Sequence, residues 1–169
     1  MNLPKRKPTR LANFNYSTNG AYFITVCTKN KKHIFGTVGA SIARPQEIVL
    51  SEYGKIVDDA IRSITKHYSD IIVDKYVIMP NHIHMILVIK SEYGRAMLAP
   101  TISRVIQQMK GYVSKQIGKP IWQRSFYDHI IRIEQDYNEI WQYIENNLLK
   151  WSEDCFYNTD KKAKPSTER

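Results

Sequence analysis

Two apolar segments separated by only two residues constrain the fold more than any other feature of this sequence. Residues 71–79 and 82–89 are rich in β-branched and other aliphatic side chains, which favours β-strands. Between them lie only Pro80 and Asn81, two residue types that are common in tight turns. Such a short connection joins antiparallel neighbours, because a parallel pair needs a crossover of about a dozen residues or more. The sequence therefore predicts a β-hairpin over residues 71–89.

The rest of the chain alternates strands and helices around this hairpin. Residues 21–28 and 128–133 are the other two predicted strands, the first because it is rich in aromatic and β-branched residues. Apolar residues recur at three- and four-residue spacing in two helical segments, one that opens at Ser51 and one that begins at Pro100 and Thr101. This periodicity predicts one buried face on each helix.

A third predicted helix follows the last strand. It starts at Asp136, which stands three residues before Glu139 as in a capping box, and it runs to about Trp151. The segment between the first strand and the first helix contains Gly36 and Gly39 and is predicted to be a loop. The apolar side chains predicted to pack the third helix on the body of the protein are Tyr137, Ile140, Trp141, Ile144, Leu148 and Trp151.

The resulting order, β-α-β-β-α-β followed by one more helix, is that of an α+β, ferredoxin-like fold. It predicts an antiparallel sheet with its two helices on one face, plus a C-terminal helix that carries a tyrosine. A chain of 169 residues with 43% hydrophobic side chains is typical of one domain. We place that domain at residues 19–152, between a basic arm at residues 1–18 and a basic, flexible tail at residues 153–169.

The charge balance favours a polyanionic partner. Lysine and arginine number 25 against 16 aspartate and glutamate residues, a formal net charge of +9. Basic chains bind nucleic acids because contacts to phosphates release condensed counterions, while plain solubility charge and an acidic membrane surface are the alternatives. No apolar run is long enough to cross a bilayer, and two cysteines are too few for a disulfide framework or a four-cysteine zinc site. We expect a cytoplasmic protein without a membrane partner.

A His-Ile-His sequence opens the second strand of the hairpin. Side chains alternate between the two faces of a strand, so His82 and His84 point the same way and are close enough to share a metal ion. The alternative is a pair of histidines with ordinary hydrogen bonds. No cluster of His, Cys or Asp stands nearby to complete a structural zinc site. The pattern favours an open site in which water and substrate take the remaining positions.

Tyr143 and Asn147 lie four residues apart on the third predicted helix, and therefore side by side. The amide oxygen of asparagine is a hard, neutral ligand, and a phenol one turn earlier is able to approach a phosphate bound to the same ion. Packing of an amphipathic tyrosine at the helix edge is the alternative. A hydrolase that activates water would need a carboxylate base, and Glu145, the nearest on this helix, points away from Tyr143 and Asn147.

Three segments resemble those of one family, in the same order along the chain. Residues 77–84, VIMPNHIH, resemble the HUH motif (His, hydrophobic residue, His) of single-tyrosine transposases. Residues 121–132, IWQRSFYDHIIR, are similar to a characteristic segment of the REP-associated tyrosine transposases. Residues 143–151, YIENNLLKW, resemble their tyrosine-bearing helix. That family usually has proline directly after the helix asparagine, where this chain has Leu148, which continues a helix more readily.

The resemblance implies an enzyme, a transposase that cleaves and rejoins single-stranded DNA near palindromic hairpins. By the same resemblance, Tyr143 matches the nucleophile, which forms a covalent 5′-phosphotyrosine intermediate. His82, His84 and Asn147 match the ligands of a divalent metal ion. Two imidazoles and one amide oxygen leave room for water and phosphate, so the cofactor implied is Mg²⁺ or Mn²⁺.

The implied partner is single-stranded DNA with a hairpin formed by a palindromic repeat. It would be bound by a monomer or a homodimer in the cytoplasm, in association with the nucleoid. A domesticated protein that binds such DNA without cleaving it is the alternative, because it would show the same basic charge and aromatic residues. The basic residues singled out for DNA contact are Lys5, Arg6, Arg10, Arg124 and Arg132.

Overall fold

The computed structural model describes residues 17–39, 47–90 and 101–157. The strands are β1 (Gly20–Cys27), β2 (Gly36–Gly39), β3 (Glu47–Leu50), β4 (Ile71–Met79), β5 (His82–Ile89) and β6 (Tyr127–Ile131). The α-helices are α1 (Glu52–His67), α2 (Ile102–Ile117) and α3 (Glu134–Asn146), and short 3-10 helices lie at Lys29–Lys31 and Trp151–Glu153. Among these residues, no helix has both the length and the apolar content needed to cross a membrane.

Four strands form one antiparallel sheet in the order β4-β5-β1-β6. The chain passes from β1 to β4 through α1 and from β5 to β6 through α2, and each passage skips one strand position. Both helices pack on the same face of the sheet. This is the predicted ferredoxin-like arrangement, and the predicted fold class is confirmed.

The hairpin of β4 and β5 has the bounds that the sequence indicated. Pro80 and Asn81 form its turn, and Met79 pairs with His82 at the first rung of the ladder. Because the connection is so short, the register of the two strands is set at this end. The first residues of β5 are therefore held at one edge of the sheet, next to the turn.

The main hydrophobic core lies between the sheet and helices α1 and α2, where alternate side chains of β1 and β5 meet apolar side chains of both helices. Each helix begins at its predicted cap. Ser51 Oγ accepts a hydrogen bond from the Gly54 amide at 3.1 Å, and Thr101 Oγ1 accepts one from the Arg104 amide at 3.3 Å. These caps satisfy amide groups that the first helical turn leaves without partners.

Helix α3 packs on the opposite face of the sheet. A smaller buried cluster joins Phe23 of β1, Ile86 of β5 and Ile131 of β6 to Ile144 of the helix. The histidine side chains of β5 belong to this same face, because they alternate with the core-facing residues of that strand. The fold thus places the tyrosine-bearing helix directly over the predicted histidine pair.

The predicted loop between β1 and α1 is wrong in part, because it contains a two-stranded hairpin of β2 and β3. Each strand has four residues, which is too short for an alternating pattern to stand out in the sequence. Gly36, which indicated a loop, permits a close approach of the strands, since a Cβ there would lie 2.5 Å from the Val49 carbonyl oxygen. The connection between the two strands lies outside the described residues.

The predicted limits of the third helix are also wrong. Helix α3 begins at Glu134, and no capping box forms because the Asp136 carboxylate accepts a hydrogen bond from His129 Nε2 at 2.8 Å. It ends at Asn146 rather than near Trp151, since several of the residues that follow bond to the third preceding carbonyl instead of the fourth. These tighter turns direct the chain back toward the histidine face of the sheet.

Candidate functional site

His82 and His84 form a buried pair on the α3 face of the sheet, as strand alternation predicted. The residues occupy alternate positions of β5 and are 0% and 2% exposed. Their Nε2 atoms lie 3.0 Å apart, and the ring planes are inclined at 69°. Both imidazoles therefore direct a nitrogen toward one point, which is the arrangement expected of two ligands of one cation.

The other nitrogen of each imidazole has a partner in the protein. His82 Nδ1 lies 2.8 Å from Asn81 Oδ1, and His84 Nδ1 lies 2.8 Å from the hydroxyl oxygen of Thr25. Thr25 is the β1 residue directly opposite His84 in the sheet. Such partners fix the ring orientation of metal-binding histidines, so the pair meets this requirement of a metal site.

Burial keeps both histidines uncharged at neutral pH. Loss of solvent contact is the main cause that lowers the pKa of His82 to about 2, and the neighbouring His84 lowers it further. Burial also lowers the pKa of His84 to about 3. A neutral imidazole has one nitrogen lone pair, which is the group that binds a metal ion.

We expect the protein, freed of metal with EDTA, to lose stability as the pH falls from 7 to 5. Unfolded histidines take up protons near a pKa of about 6.5, whereas folded His82 and His84 stay neutral, so below that pH the unfolded state binds more protons. The free energy of unfolding, measured with urea, should fall by roughly 2 kcal/mol for each histidine at pH 5. His67→Gln, at an exposed histidine, should leave this loss unaltered. Equal stability at both pH values would contradict a buried neutral pair.

Tyr143 brings a phenol to the pair from helix α3. Its Oη lies 3.2 Å from His84 Nε2, and its ring meets the Phe23 ring edge-on. Burial raises the pKa of Tyr143, the charge of Asp154 raises it further, and a hydrogen bond from Asn147 lowers it. The phenol therefore carries its proton at neutral pH. Because the residue is 45% exposed, a substrate is able to reach it from solvent.

Asn147 places an amide oxygen without a partner in the same region. The residue directly follows α3 and is 3% exposed. Its Oδ1 is buried and accepts no hydrogen bond from any residue in the described ranges. A buried acceptor of this kind is rare and costs free energy, unless a cation or an ordered water lies next to it. The structure brings Asn147 and Tyr143 together, as their spacing predicted.

Asp154 is a member of the site that the sequence analysis missed. Its carboxylate lies 3.9 Å from His82 Nε2, and its side chain is 5% exposed. With both histidines it forms a group whose potential ligand atoms all lie within 4.8 Å of one another. The expectation that no cluster of His, Cys or Asp forms around the pair is therefore wrong for the described residues. No sequence signal places Asp154 here, because its position depends on the turns that follow α3.

Two aromatic side chains from the same segment cover the histidines. The Phe156 ring packs on His82 with the ring centroids 4.5 Å apart, and Trp151 is buried against both His33 and His82. Residues just beyond position 152 therefore contact the site. The predicted domain limits, residues 19 and 152, stay a prediction.

The donor groups suit a hard divalent cation. Adjacent ligands of an octahedral ion with bonds of about 2.1 Å are about 3.0 Å apart, which is the separation of the two Nε2 atoms. The Asp154 carboxylate adds an oxygen donor to these nitrogens, and the buried amide of Asn147 lies beside Tyr143. A mixed set of imidazole nitrogens and hard oxygens fits Mg²⁺ or Mn²⁺, with Mn²⁺ favoured by the nitrogens.

A cavity of about 480 Å³ opens beside Tyr143, between α3 and the segment that ends at Cys155. Asn147, Lys150 and Asp154 contribute to its walls. The phenol and the oxygen donors of the site therefore share one approach from solvent. A ligand in this cavity would lie next to the Tyr143 side chain and the Asp154 side chain.

The residues predicted to contact DNA are described only in part. Arg124 and Arg132 are exposed, which a contact to a phosphate backbone requires. Their role in DNA contact stays a prediction. The remaining three, which lie outside the described residues, are Lys5, Arg6 and Arg10.

Comparison with known proteins finds similarity in sequence and in structure. No protein-family model matches it. An uncharacterized protein of Haemophilus influenzae is 33% identical over 172 residues, which span 90% of this chain and 93% of that protein. A solved structure of a REP-associated tyrosine transposase bound to a REP hairpin matches 83% of this chain and 74% of that one, with 21% identity and a TM-score of 0.59. A Deinococcus radiodurans structure at 17% identity covers 81% of this chain and 97% of its own, with a TM-score of 0.48.

The two kinds of likeness carry different conclusions. Identity of 33% over nearly the full length of both chains shows common membership of a family. Identity of 21% with a TM-score of 0.59 shows a shared fold. The chain therefore belongs to the same protein family as the Haemophilus influenzae protein, and its fold is that of a REP-associated tyrosine transposase.

Proposed function

We propose that this protein is a metal-dependent endonuclease and strand transferase of single-stranded DNA, a transposase with Tyr143 as its nucleophile. The observation that carries the proposal is the Tyr143 oxygen, which lies 3.2 Å from a nitrogen of the buried histidine pair. Phosphoryl transfer requires a nucleophile next to a group that stabilises charge, and in this proposal Tyr143 is the nucleophile and a cation held by the histidines stabilises the charge. The transposase structure with the same fold is bound to a REP hairpin, which supports a hairpin substrate here.

In this proposal His82, His84 and Asn147 hold one Mg²⁺ or Mn²⁺ ion, with the Asp154 carboxylate as a further donor. When bound, the ion withdraws electron density from a phosphate oxygen and offsets the negative charge that develops during attack. The neutral state of both histidines keeps their lone pairs available at pH 7. Water and the substrate phosphate take the remaining positions.

Tyr143 carries out the covalent step. Its oxygen attacks the phosphorus of a backbone phosphate, so that a tyrosine O–P bond forms and the bond from phosphorus to the 3′ oxygen breaks. The phenol, which is protonated beforehand, loses its proton, and the leaving oxygen gains one. The products are a 5′-phosphotyrosine and a free 3′-hydroxyl. Because the phosphoester is retained, attack by a 3′-hydroxyl reverses the step and joins strands without ATP.

One chain supplies every group of this proposed site. Helix α3 is held on its own sheet by a hydrogen bond from Tyr137 to Asp74 and by an ion pair between Glu145 and Lys75, both of which join α3 to β4. Lys75 also lies over the Trp141 ring, 4.0 Å from its centroid. We therefore propose that a monomer is sufficient for cleavage. The same ion pair keeps Glu145 away from Tyr143, so it does not serve as a base for water.

The basic character of the chain supplies the DNA affinity in this proposal. A net charge of +9 attracts the phosphate backbone, and we assign contacts to the exposed arginines 124 and 132 and to the basic residues 5, 6 and 10. Contacts of this kind are independent of base sequence, so binding should weaken steeply as salt increases. Such affinity for DNA suits a protein that lies in the cytoplasm and associates with the nucleoid.

A hairpin-binding protein that does not cleave DNA is the second candidate function. The observation in its favour is the Phe156 ring, which covers His82 and narrows access to the pair. A binding protein gains nothing, however, from an exposed phenol beside the histidines or from the buried, unpartnered oxygen of Asn147. Catalytic chemistry accounts for both features, and for this reason we favour the enzyme.

Cleavage of fluorescently labelled single-stranded DNA hairpins tests the proposal. We expect cleavage in Mn²⁺ or Mg²⁺ and none after addition of EDTA. His84→Ala, which removes one nitrogen donor, should reduce cleavage by at least about 100-fold while hairpin affinity in a gel-shift assay changes by less than about threefold. Hairpin binding without cleavage by the unmodified protein in either ion would support the second candidate. Cleavage that persists in EDTA would overturn the metal requirement.

A further inference from the structure

Asn81 lies at the centre of a buried hydrogen-bond network beside the histidine pair. The residue is 0% exposed. Its side-chain Nδ2 lies 3.1 Å from the Lys31 carbonyl oxygen and 2.8 Å from the Phe156 carbonyl oxygen. Carbonyl oxygens only accept hydrogen bonds, so the NH₂ group of the amide must face these two atoms. The orientation of the amide is therefore determined by the backbone around it.

This orientation determines which nitrogen of His82 carries the proton. The amide oxygen of Asn81 faces His82 Nδ1 at 2.8 Å and, as an acceptor, requires an N–H there. A neutral imidazole has one N–H, so Nε2 of His82 keeps its lone pair. That lone pair is directed at the point where the proposed cation lies. The backbone carbonyl groups of Lys31 and Phe156 orient the Asn81 amide, and the amide in turn leaves Nε2 of His82 free to bind a cation.

The partner of His84 has a different character. Thr25 presents a hydroxyl, which donates or accepts, so it accommodates either tautomer of His84. His84 Nε2 lies 3.0 Å from His82 Nε2 and 3.2 Å from the Tyr143 hydroxyl, which also donates or accepts. The surroundings of His84 therefore do not fix its tautomer as Asn81 fixes that of His82.

We propose that Asn81 is a positioning residue that locks His82 in the tautomer able to bind a cation through Nε2. This inference rests on the proposed function only in assuming that a cation occupies the histidine site.

The tautomers are directly visible in long-range ¹H–¹⁵N spectra of the ¹⁵N-labelled protein, before and after addition of Zn²⁺, a diamagnetic ion with high affinity for imidazole. We expect His82 to carry its proton on Nδ1 in both states. A proton on Nε2 of His82, either in the metal-free protein or at saturation with Zn²⁺, would overturn the inference.

Two substitutions separate positioning from a merely structural role. Asn81→Asp keeps an oxygen acceptor for His82 Nδ1 but loses both donors to the backbone carbonyls, whereas Asn81→Ala loses all three hydrogen bonds. We expect the affinity for Mn²⁺, measured by electron paramagnetic resonance, to fall about 10- to 100-fold in Asn81→Ala and to stay within about threefold in Asn81→Asp. Thermal stability should fall in both variants.

Equal loss of Mn²⁺ affinity in the two variants would show that Asn81 acts only through structure, and no loss in either would also contradict the inference. If a variant fails to fold, the spectra of the unmodified protein still decide the tautomers. Failure of the proposed function has a different signature. A protein with the expected tautomers and Mn²⁺ affinity that never cleaves DNA would leave this inference standing and contradict the proposed enzyme.

Discussion

Tyr143→Phe is expected to abolish cleavage of hairpin DNA. The substitution removes only the oxygen that we propose attacks phosphorus, so cleavage should fall by at least about a thousandfold. The ring itself, which meets Phe23 and His84, is retained, and for this reason hairpin binding should change by less than about threefold. Cleavage in Mn²⁺ and binding in a gel-shift assay measure the two quantities on the same DNA.

Tyr137→Phe is the matched control, because it removes a phenol from the same helix outside the site. That oxygen donates to Asp74 on β4 and contributes to holding α3 on the sheet. We expect a modest loss of stability and cleavage within about threefold of the unmodified protein. Residual cleavage by Tyr143→Phe, lost only on changing another tyrosine, would show that the nucleophile lies elsewhere.

Asn147→Ala should reduce cleavage about 10- to 1,000-fold and leave hairpin affinity within about threefold. The amide oxygen is buried without a partner within the described residues, so its removal deletes the proposed cation donor, while loss of the amide nitrogen removes the hydrogen bond to Tyr143. Alanine is also compatible with the helical backbone at this position. Because the remaining donors bind the cation more weakly, high Mn²⁺ should restore part of the activity. Cleavage measured across a range of Mn²⁺ concentrations tests this.

Asn138→Ala provides the comparison, since it changes the same residue type on the same helix. Asn138 is exposed and lies outside the lining of the cavity beside Tyr143. We expect its cleavage rate and Mn²⁺ dependence to match those of the unmodified protein. Full activity in Asn147→Ala, or parallel loss of binding and cleavage, would rule out Asn147 as a metal ligand.

The hairpin and the histidine pair could be predicted because both depend on local pattern. The two-residue connection at Pro80 and Asn81 allows only antiparallel neighbours, so the limits of β4 and β5 follow from the sequence. Strand alternation then places His82 and His84 on one face without any knowledge of the rest of the fold. The proximity of Tyr143 and Asn147 could be predicted as well, because residues four apart on a helix lie on the same side of it.

The other members of the site depend on tertiary contacts that no local pattern reports. Asp154 reaches His82 because the chain tightens after α3 and turns back, whereas the sequence indicated a helix that continued. Asn81 was assigned to a turn by its residue type, yet its side chain is held by carbonyl groups of Lys31 and Phe156. Both roles depend on contacts with residues that are distant in the sequence, so they become visible only in the three-dimensional structure.

The errors in helix and strand limits have similar physical causes. Asp136 has the spacing of a capping box, but His129 competes for its carboxylate, and the helix starts earlier. The strands β2 and β3 are stabilised by pairing with each other and by the close approach at Gly36, and their sequences show no clear alternation of apolar and polar residues. Local propensity was outweighed by a specific partner in both cases.

The most direct test of the proposed function is the mass of the protein after reaction with a hairpin oligonucleotide in Mn²⁺. We expect a covalent adduct equal in mass to the protein plus the 5′-phosphorylated 3′-side DNA fragment less one water, mapped by peptide analysis to Tyr143, and a released fragment that ends in a 3′-hydroxyl. The adduct should be absent in Tyr143→Phe. Two free DNA fragments with no protein-linked product would contradict the account and indicate hydrolysis by water instead.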